Sequence, residues 1–438
     1  GQRARLFRDV GNITMDLNGV EHIQLATLGG PDIVTINDLT GTGVTQVAVD
    51  LSATPGSGQG DGQTDTVNVN GTTGDDHIAI ASSGTSVVVN GLAAQVKISG
   101  TDGTDQLVVN GGGGNDVINA ASLHEGQVSL TLNGGDGDDT IVGSAGSDTV
   151  NGGRGNDIAS LGAGDDTFIW NPGDGSDTVN GGAGNDTLLF NGANVNEKID
   201  ISASNGHAIF TRDVANITMD LDKVETIDFT ARGGEDTITV NDLSSTDVKH
   251  VAIDLESTPG SGVGDGASDT IVINATNGND VINVTESNGV VTVSGLAEDV
   301  KITGFEAGDH IVVNGLGGDD VINGTGLGAG VMLTANGGDG DDILLGGAGN
   351  DTLSGGAGDD VLIGGGGQDI LDGGPGGNVV IQSLVSNFAA SGGSPAAGAA
   401  LLGQFMASSF AATGEGLEHM PLGGSSPDQH PMLTQPHA

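Results

Sequence analysis

The sequence predicts an all-β fold, a parallel β-solenoid wound from short strands and glycine-rich turns, and three observations carry that prediction. Aspartate returns every nine residues in NGGDGDDTIVGSAGSDTVNGGRGND (133–157), at Asp139, Asp148 and Asp157, each after a glycine-rich stretch and before a short apolar step. Valine, isoleucine and leucine recur in alternating runs such as DIVTIN (32–37) and DTVNVN (65–70), the pattern of half-buried strands. The chain also repeats on a longer scale. RDVGNITMDL (8–17) returns as RDVANITMDL (212–221), TPGSGQGDG (54–62) as TPGSGVGDG (258–266), and GLAAQVKI (91–98) as GLAEDVKI (295–302), each 204 residues on. Two tandem copies of about 204 residues, followed by a low-complexity C-terminal tail, are therefore expected.

Composition narrows the partners. There are 11 Lys and Arg against 58 Asp and Glu, a net charge of −47. So acidic a surface excludes nucleic acid and anionic membranes, which need clustered Lys and Arg. High charge with few aromatics also describes disordered chains, but disorder has no reason to hold a nine-residue register with an apolar eighth position. The chain has no cysteine, so no disulfide holds it. No run approaches the twenty apolar residues of a membrane-spanning helix, and membrane insertion is not expected. The opening residues carry no charged-then-apolar leader, so no amino-terminal signal peptide is visible.

Taken in order, residues 1–133 read as solenoid coils of variable size, with glycine-x-aspartate turns before strands in GGPDIVTIN (29–37), GTTGDDHIA (71–79) and GTDGTDQLV (100–108). Residues 134–189 hold six nonapeptide units, from GGDGDDTIV (134–142) to GGAGNDTLL (181–189). Residues 190–336 repeat the irregular coils after a lead-in, NGANVNEKIDISASNGHAIF (191–210), of which the first copy keeps only the last few residues. That difference predicts a chain starting partway into a repeat unit. Residues 337–381 hold five units, GGDGDDILL to GGPGGNVVI. In each unit six residues are turn material and three form a short strand whose middle residue faces the core. Those core residues are Ile141, Val150, Ala159, Phe168, Val179 and Leu188, then Leu344, Leu353, Leu362, Leu371 and Val380. Two units make one coil, and coils stack at roughly 4.8 Å.

Such stacking sets the aspartate of one unit over that of the next unit but one: Asp139 over Asp157, Asp148 over Asp166. Two carboxylates that close repel by roughly 3–4 kcal/mol at an effective dielectric near 20. A cation between the turns removes the conflict. Calcium takes six to eight hard oxygens in flexible geometry, which carboxylates and turn carbonyls supply, whereas magnesium demands strict octahedral geometry. With no sulfur or imidazole in these turns, zinc and copper are poor candidates.

The units GGDGDDTIV, GGAGNDTLL, GGAGNDTLS and GGAGDDVLI resemble the glycine- and aspartate-rich nonapeptides of repeats-in-toxin (RTX) proteins, the haemolysin-type calcium-binding repeats. The resemblance implies a parallel β-roll, folding induced by several Ca2+ ions, and export by a type I secretion system. The expected metal ligands are Asp139, Asp148, Asp157, Asp166, Asp177 and Asp186 in the first array and Asp342, Asp351, Asp360 and Asp369 in the second, with Asp116 and Asp320 in the coil before each. Asp186 is expected to end its row. Asn378 replaces the last aspartate, as suits the end of an array. In the glycine-x-aspartate turns outside the arrays, calcium binding and simple turn capping are both open.

The tail, 382–438, is rich in Ala, Ser and Gly. Its segment 396–411 could form a weak amphipathic helix with Leu401, Leu402, Phe405, Met406 and Phe410 on one face. By resemblance a type I secretion signal lies there; a cap or a disordered tail are the alternatives. The chain contains neither H-E-x-x-H nor G-x-S-x-G, its nine histidines are scattered, and calcium accounts for its paired carboxylates. No enzyme activity is expected. Two functions remain. The first is a secreted calcium-dependent structural or adhesive element of the bacterial cell surface, contacting surface or matrix components or other copies of itself. The second is the secretion and folding module of a larger exoenzyme or toxin.

Overall fold

The computed structural model describes residues 2–383. The chain divides into two units, Gly1–Gln382 and Ser383–Ala438, and the fold below is that of the first. The expected helix over 396–411 and the secretion signal lie outside the described residues. Regular structure in the first unit is all strand apart from one 3-10 turn, Val214–Asn216.

Two long sheets run the length of the unit, one of sixteen strands and one of eighteen. From His22 on, and outside three hairpin triplets, the chain alternates between them, a short strand in one, a turn, a short strand in the other, which is the winding of a solenoid. Alternating sequence makes this winding stable. Thr66–Asn70 and Gln46–Asp50 bury every second side chain, and those side chains meet in one continuous apolar core between the sheets.

Within the arrays each strand pairs in parallel with the strand two units on. Ile141 lies opposite Ala159 and Ala159 opposite Val179; Val150 lies opposite Phe168 and Phe168 opposite Leu188. The eighth-position residues from Ile141 to Leu362 are buried. The last two depart from expectation. Leu371 is only partly buried, and Val380 is 47% exposed, because its strand Val379–Ile381 closes its sheet with a neighbour on one side only.

Purely parallel coils were expected in the irregular regions, and the structure departs from that. Three strand triplets fold back on themselves as antiparallel meanders: His77–Ser83 with Ser86–Asn90 and Gln95–Ser99, Lys198–Ser204 with His207–Arg212 and Ile217–Asp222, and Val281–Ser287 with Val290–Ser294 and Asp299–Thr303. The cause is turn chemistry. Asn205-Gly206 and Asn288-Gly289 each place two consecutive residues at positive φ, the requirement of a two-residue type I′ hairpin. In each triplet the chain jumps ahead and then fills the gap backwards. His77–Ser83 pairs with the later strand Val117–Ser122, while Gln95–Ser99 returns to lie on Gln46–Asp50.

No break separates the first array from the coils that follow. Thr178–Ala183 pairs with Ile217–Asp222, and Thr187–Asn191 with Thr226–Thr230. The joint is filled by the molecule's aromatics. Trp170 stacks on Phe190 at 4.0 Å and 3°, Phe210 lies 4.3 Å from Phe190, and the Arg212 guanidinium sits 5.4 Å from the Trp170 ring centre. Arg212 is itself buried and paired with buried Glu197. Ile217 and Met219, flanked here on both sides, are 6% and 0% exposed, whereas Ile13 and Met15 in the terminal hairpin are 45% and 48% exposed.

Strands 204 residues apart lie in opposite sheets. Gln46–Asp50 belongs to the eighteen-strand sheet and His250–Asp254 to the sixteen-strand sheet. The copies therefore differ by a half turn about the long axis, because each makes an odd number of sheet visits.

Candidate metal centre

Each nonapeptide aspartate sits at the junction of turn and strand, so winding stacks these residues into rows along the two long edges. One row runs Asp76, Asp116, Asp139, Asp157, Asp177. In it the Oδ1 of each acid accepts the backbone N–H of the acid one coil earlier, at 2.8, 2.7, 2.7 and 2.9 Å. On the other edge Asp148 N–H donates to Asp166 Oδ1 at 2.8 Å and Asp166 N–H to Asp186 Oδ1 at 2.9 Å. The second array repeats the arrangement through Asp280, Asp320, Asp342 and Asp360 at 2.8, 2.8 and 3.0 Å. Half of each carboxylate is thus satisfied by main chain, which fixes its orientation.

The other half is not. The Oδ2 atoms of Asp116, Asp139, Asp157, Asp166, Asp177, Asp186, Asp320, Asp342 and Asp360 are buried and have no hydrogen-bond partner. A buried polar atom left so costs free energy unless a partner fills the place. What surrounds these atoms is more acceptor. A side chain at Gly134 would start 2.1 Å from Asp139 Oδ2 and 2.4 Å from the carbonyl oxygen of Gly152 in the next coil. Glycine at this place leaves a carboxylate oxygen and a carbonyl oxygen converging with no donor between them. Asn378 shows what such a place accepts. Its Oδ1 takes the N–H of Asp360, and its Nδ2 donates to the carbonyls of Gly373 and Gly374 at 2.7 and 2.9 Å. Where the acid becomes an amide, a hydrogen-bond donor, the N–H2, reaches the turn carbonyls.

Electrostatics agree. Burial, and then the charge of neighbouring acids, pushes the carboxyls up from about 4: Asp139 and Asp320 to about 6, Asp157, Asp166 and Asp342 to about 7, Asp177 to about 8. Without a cation these groups compete for protons near neutral pH. Among the described residues no three His, Cys, Asp or Glu side chains converge on one point. An ion here must take most of its ligands from turn carbonyls, which suits calcium's preference for many neutral and anionic oxygens.

Three expected ligands are placed differently. Asp148 turns back on its own turn, accepting from the Ser144 N–H and hydroxyl. Asp351 does the same with the Gly347 N–H, at 2.6 Å. Asp369 accepts from Asp351 N–H at 3.0 Å and from the Gln382 amide at 2.9 Å. Their second oxygens are occupied where those of the other nine are free. Asp186 does not end its row, contrary to expectation: its N–H donates to Glu225 Oε2 at 2.7 Å, so the row crosses into the second copy. Glu225 lies outside any nonapeptide, but it precedes a Thr-apolar strand in ETIDFT (225–230) just as the array acids do.

The RTX calcium-binding nonapeptide repeat matches this chain four times, over residues 133–168, 173–194, 334–353 and 345–380. The matches fall on segments that carry most of these rows, and in them the chain has RTX-type calcium-binding repeats. No curated protein matches it.

Proposed function

We propose that this protein is an exported bacterial structural element, a solenoid that stiffens on binding calcium outside the cell and serves as a spacer or adhesive rod at the cell surface. The observation that carries the reading is the double row of buried, half-satisfied carboxylates along one uninterrupted solenoid. A chain so built is disfavoured where calcium is scarce and locked where it is plentiful, because ligand that binds only the folded state adds its binding free energy to stability. The same rows argue for a structural rather than a catalytic role. Their free oxygens are sealed between coils, out of reach of a substrate, and main-chain donors hold them still.

Circular dichroism of the full chain should show a largely unfolded spectrum in chelator and a β-rich one in millimolar calcium. An unchanged spectrum after exhaustive chelation would overturn the calcium part. For location, the chain should be recovered from the medium or from a chelator wash of intact producing cells; retention in the cytosolic fraction would overturn the surface role.

A further inference from the structure

Two acids outside the four matched segments are built like those inside them. Asp65 is 1% exposed and Asp236 2%. Asp65 Oδ1 accepts the N–H of Asp32 at 2.8 Å, and Asp236 Oδ1 that of Glu197 at 2.7 Å, each from the coil before. The Oδ2 of each is buried without a hydrogen-bond partner. Two other buried acids of these coils are closed. Asp105 and Asp309 turn their Oδ2 onto the N–H of Asp102 and Glu306 in their own turns, at 2.9 and 2.7 Å. Simple turn capping accounts for Asp105 and Asp309 and leaves Asp65 and Asp236 unexplained.

A second feature meets the same two places. The loops TPGSGQGDG (54–62) and TPGSGVGDG (258–266) have no part in the nonapeptide rows, yet both copies carry them. The acid of each loop is pinned the same way. Asp61 accepts the N–H of Gly30 and of Gln63 at 2.9 and 2.8 Å; Asp265 accepts that of Gly234 and of Ala267 at 2.9 and 2.7 Å. Gly30 and Gly234 belong to the turns that lead into Asp32 and Asp236. Each loop thus fixes a carboxylate over the turn beside an unsatisfied buried one. Asp61 stands four residues before Asp65 in the same turn, and Asp265 is bonded to Gly234, two residues before Asp236.

We propose that Asp65 and Asp236 each hold a calcium ion through the free Oδ2, with neighbouring turn carbonyls completing the oxygen shell and the fixed charge of Asp61 or Asp265 beside it. Each ion then sits where a TPGSGxGDG loop meets its coil, in the loop's own turn at Asp65 and in the coil before it at Asp236, and these are the strap sites. The inference rests on the calcium reading of the arrays and extends it to coils with no nonapeptide.

Calcium stoichiometry of the full-length protein, by equilibrium dialysis at pH 8, tests it. Asp65→Asn and Asp236→Asn should each lower the count by one ion, and the double variant by two. Asp105→Asn should leave the count unchanged, and Asp157→Asn should lower it. If Asp157→Asn lowers the count while Asp65→Asn and Asp236→Asn do not, the strap sites are wrong and the array reading stands. If Asp157→Asn also leaves it unchanged, the array reading itself fails. Should a buried substitution prevent folding, Asp61→Asn and Asp265→Asn in the loops decide: an unchanged calcium affinity and count in both overturns the proposal.

Discussion

Asp157 and Asp148 hold the same place in the nonapeptide yet leave their carboxylates in different states. Asp157 has one oxygen bonded and one buried without a partner, whereas Asp148 has closed on Ser144. Asp157→Asn should therefore lower calcium stoichiometry and folding cooperativity, and Asp148→Asn should do so much less. Because the row continues into Glu225, Asp186→Asn should resemble Asp157→Asn and not an end position. Equal effects at all three sites, read by calcium titration, would show that the free oxygen is not what the ion uses. The raised carboxyls add a pH dependence whose sign is definite. A carboxyl held up at 6 to 8 in the fold and near 4 in the unfolded chain contributes stability below 4 and loses it as pH rises through 6 to 8. In chelator, acidification from pH 8.5 to 5 should raise the β signal. Over the same window the calcium concentration at half-folding should rise with pH, because protons and calcium stabilise the fold at the same oxygens and calcium must replace the protons that are lost. A chelated protein whose spectrum ignores pH there would contradict the buried rows. At this scale the array aspartates were readable from spacing alone. Which of their oxygens is free was not, since that depends on whether a turn such as Ser144 offers its own donors.

The hairpin triplets show a different limit. SNGH (204–207) and SNGV (287–290) carry the Asn-Gly signal of a two-residue hairpin between alternating strands, so the antiparallel returns were written in the sequence. Parallel coils were expected because the nonapeptide rhythm on either side dominates the pattern. What no local pattern carries is the jump ahead, in which His77–Ser83 pairs with a strand 40 residues later. The joint between first array and second copy is the element most open to test. Phe190 lies at the centre of the Trp170, Phe210 and Phe229 cluster, and Phe190→Ala should destabilise the calcium-loaded protein by about 3–5 kcal/mol. Trp170 is the chain's one tryptophan, so its fluorescence reports that unfolding directly. A loss below about 1 kcal/mol would mean the aromatics do not hold the joint.

At the scale of the whole unit, strand spacing gives a solenoid of roughly 80 Å for the eighteen-strand sheet. That is shorter than the roughly 90 Å expected from about 20 residues per coil, because large loops such as 54–62 take up chain without adding a rung. Continuous pairing across 187–230 leaves no flexible linker within it. Small-angle scattering of the calcium-loaded protein should therefore show a stiff rod, and chelation should replace it with an expanded chain. A bimodal end-to-end distance hinging near residues 190–207 would refute the continuous solenoid. The all-β winding and its core were legible because alternation and a nine-residue period each admit few structures. The half-turn between copies was not, since it follows from the parity of sheet visits and those depend on the hairpins.

That half turn determines the valency of the surface. Lys97 and Lys301 are equivalent, exposed lysines 204 residues apart in a chain with few basic groups, and they stand on opposite sheets. Any partner that recognises the surface around one meets its second epitope on the far side of the rod. A flat partner can be engaged only once by each molecule, so affinity for a single plane gains nothing from the duplication. Two such partners facing each other can be tied together by one molecule lying between them. Tandem duplication in a solenoid usually multiplies grip on one face; with an odd number of sheet visits it makes a bridge instead.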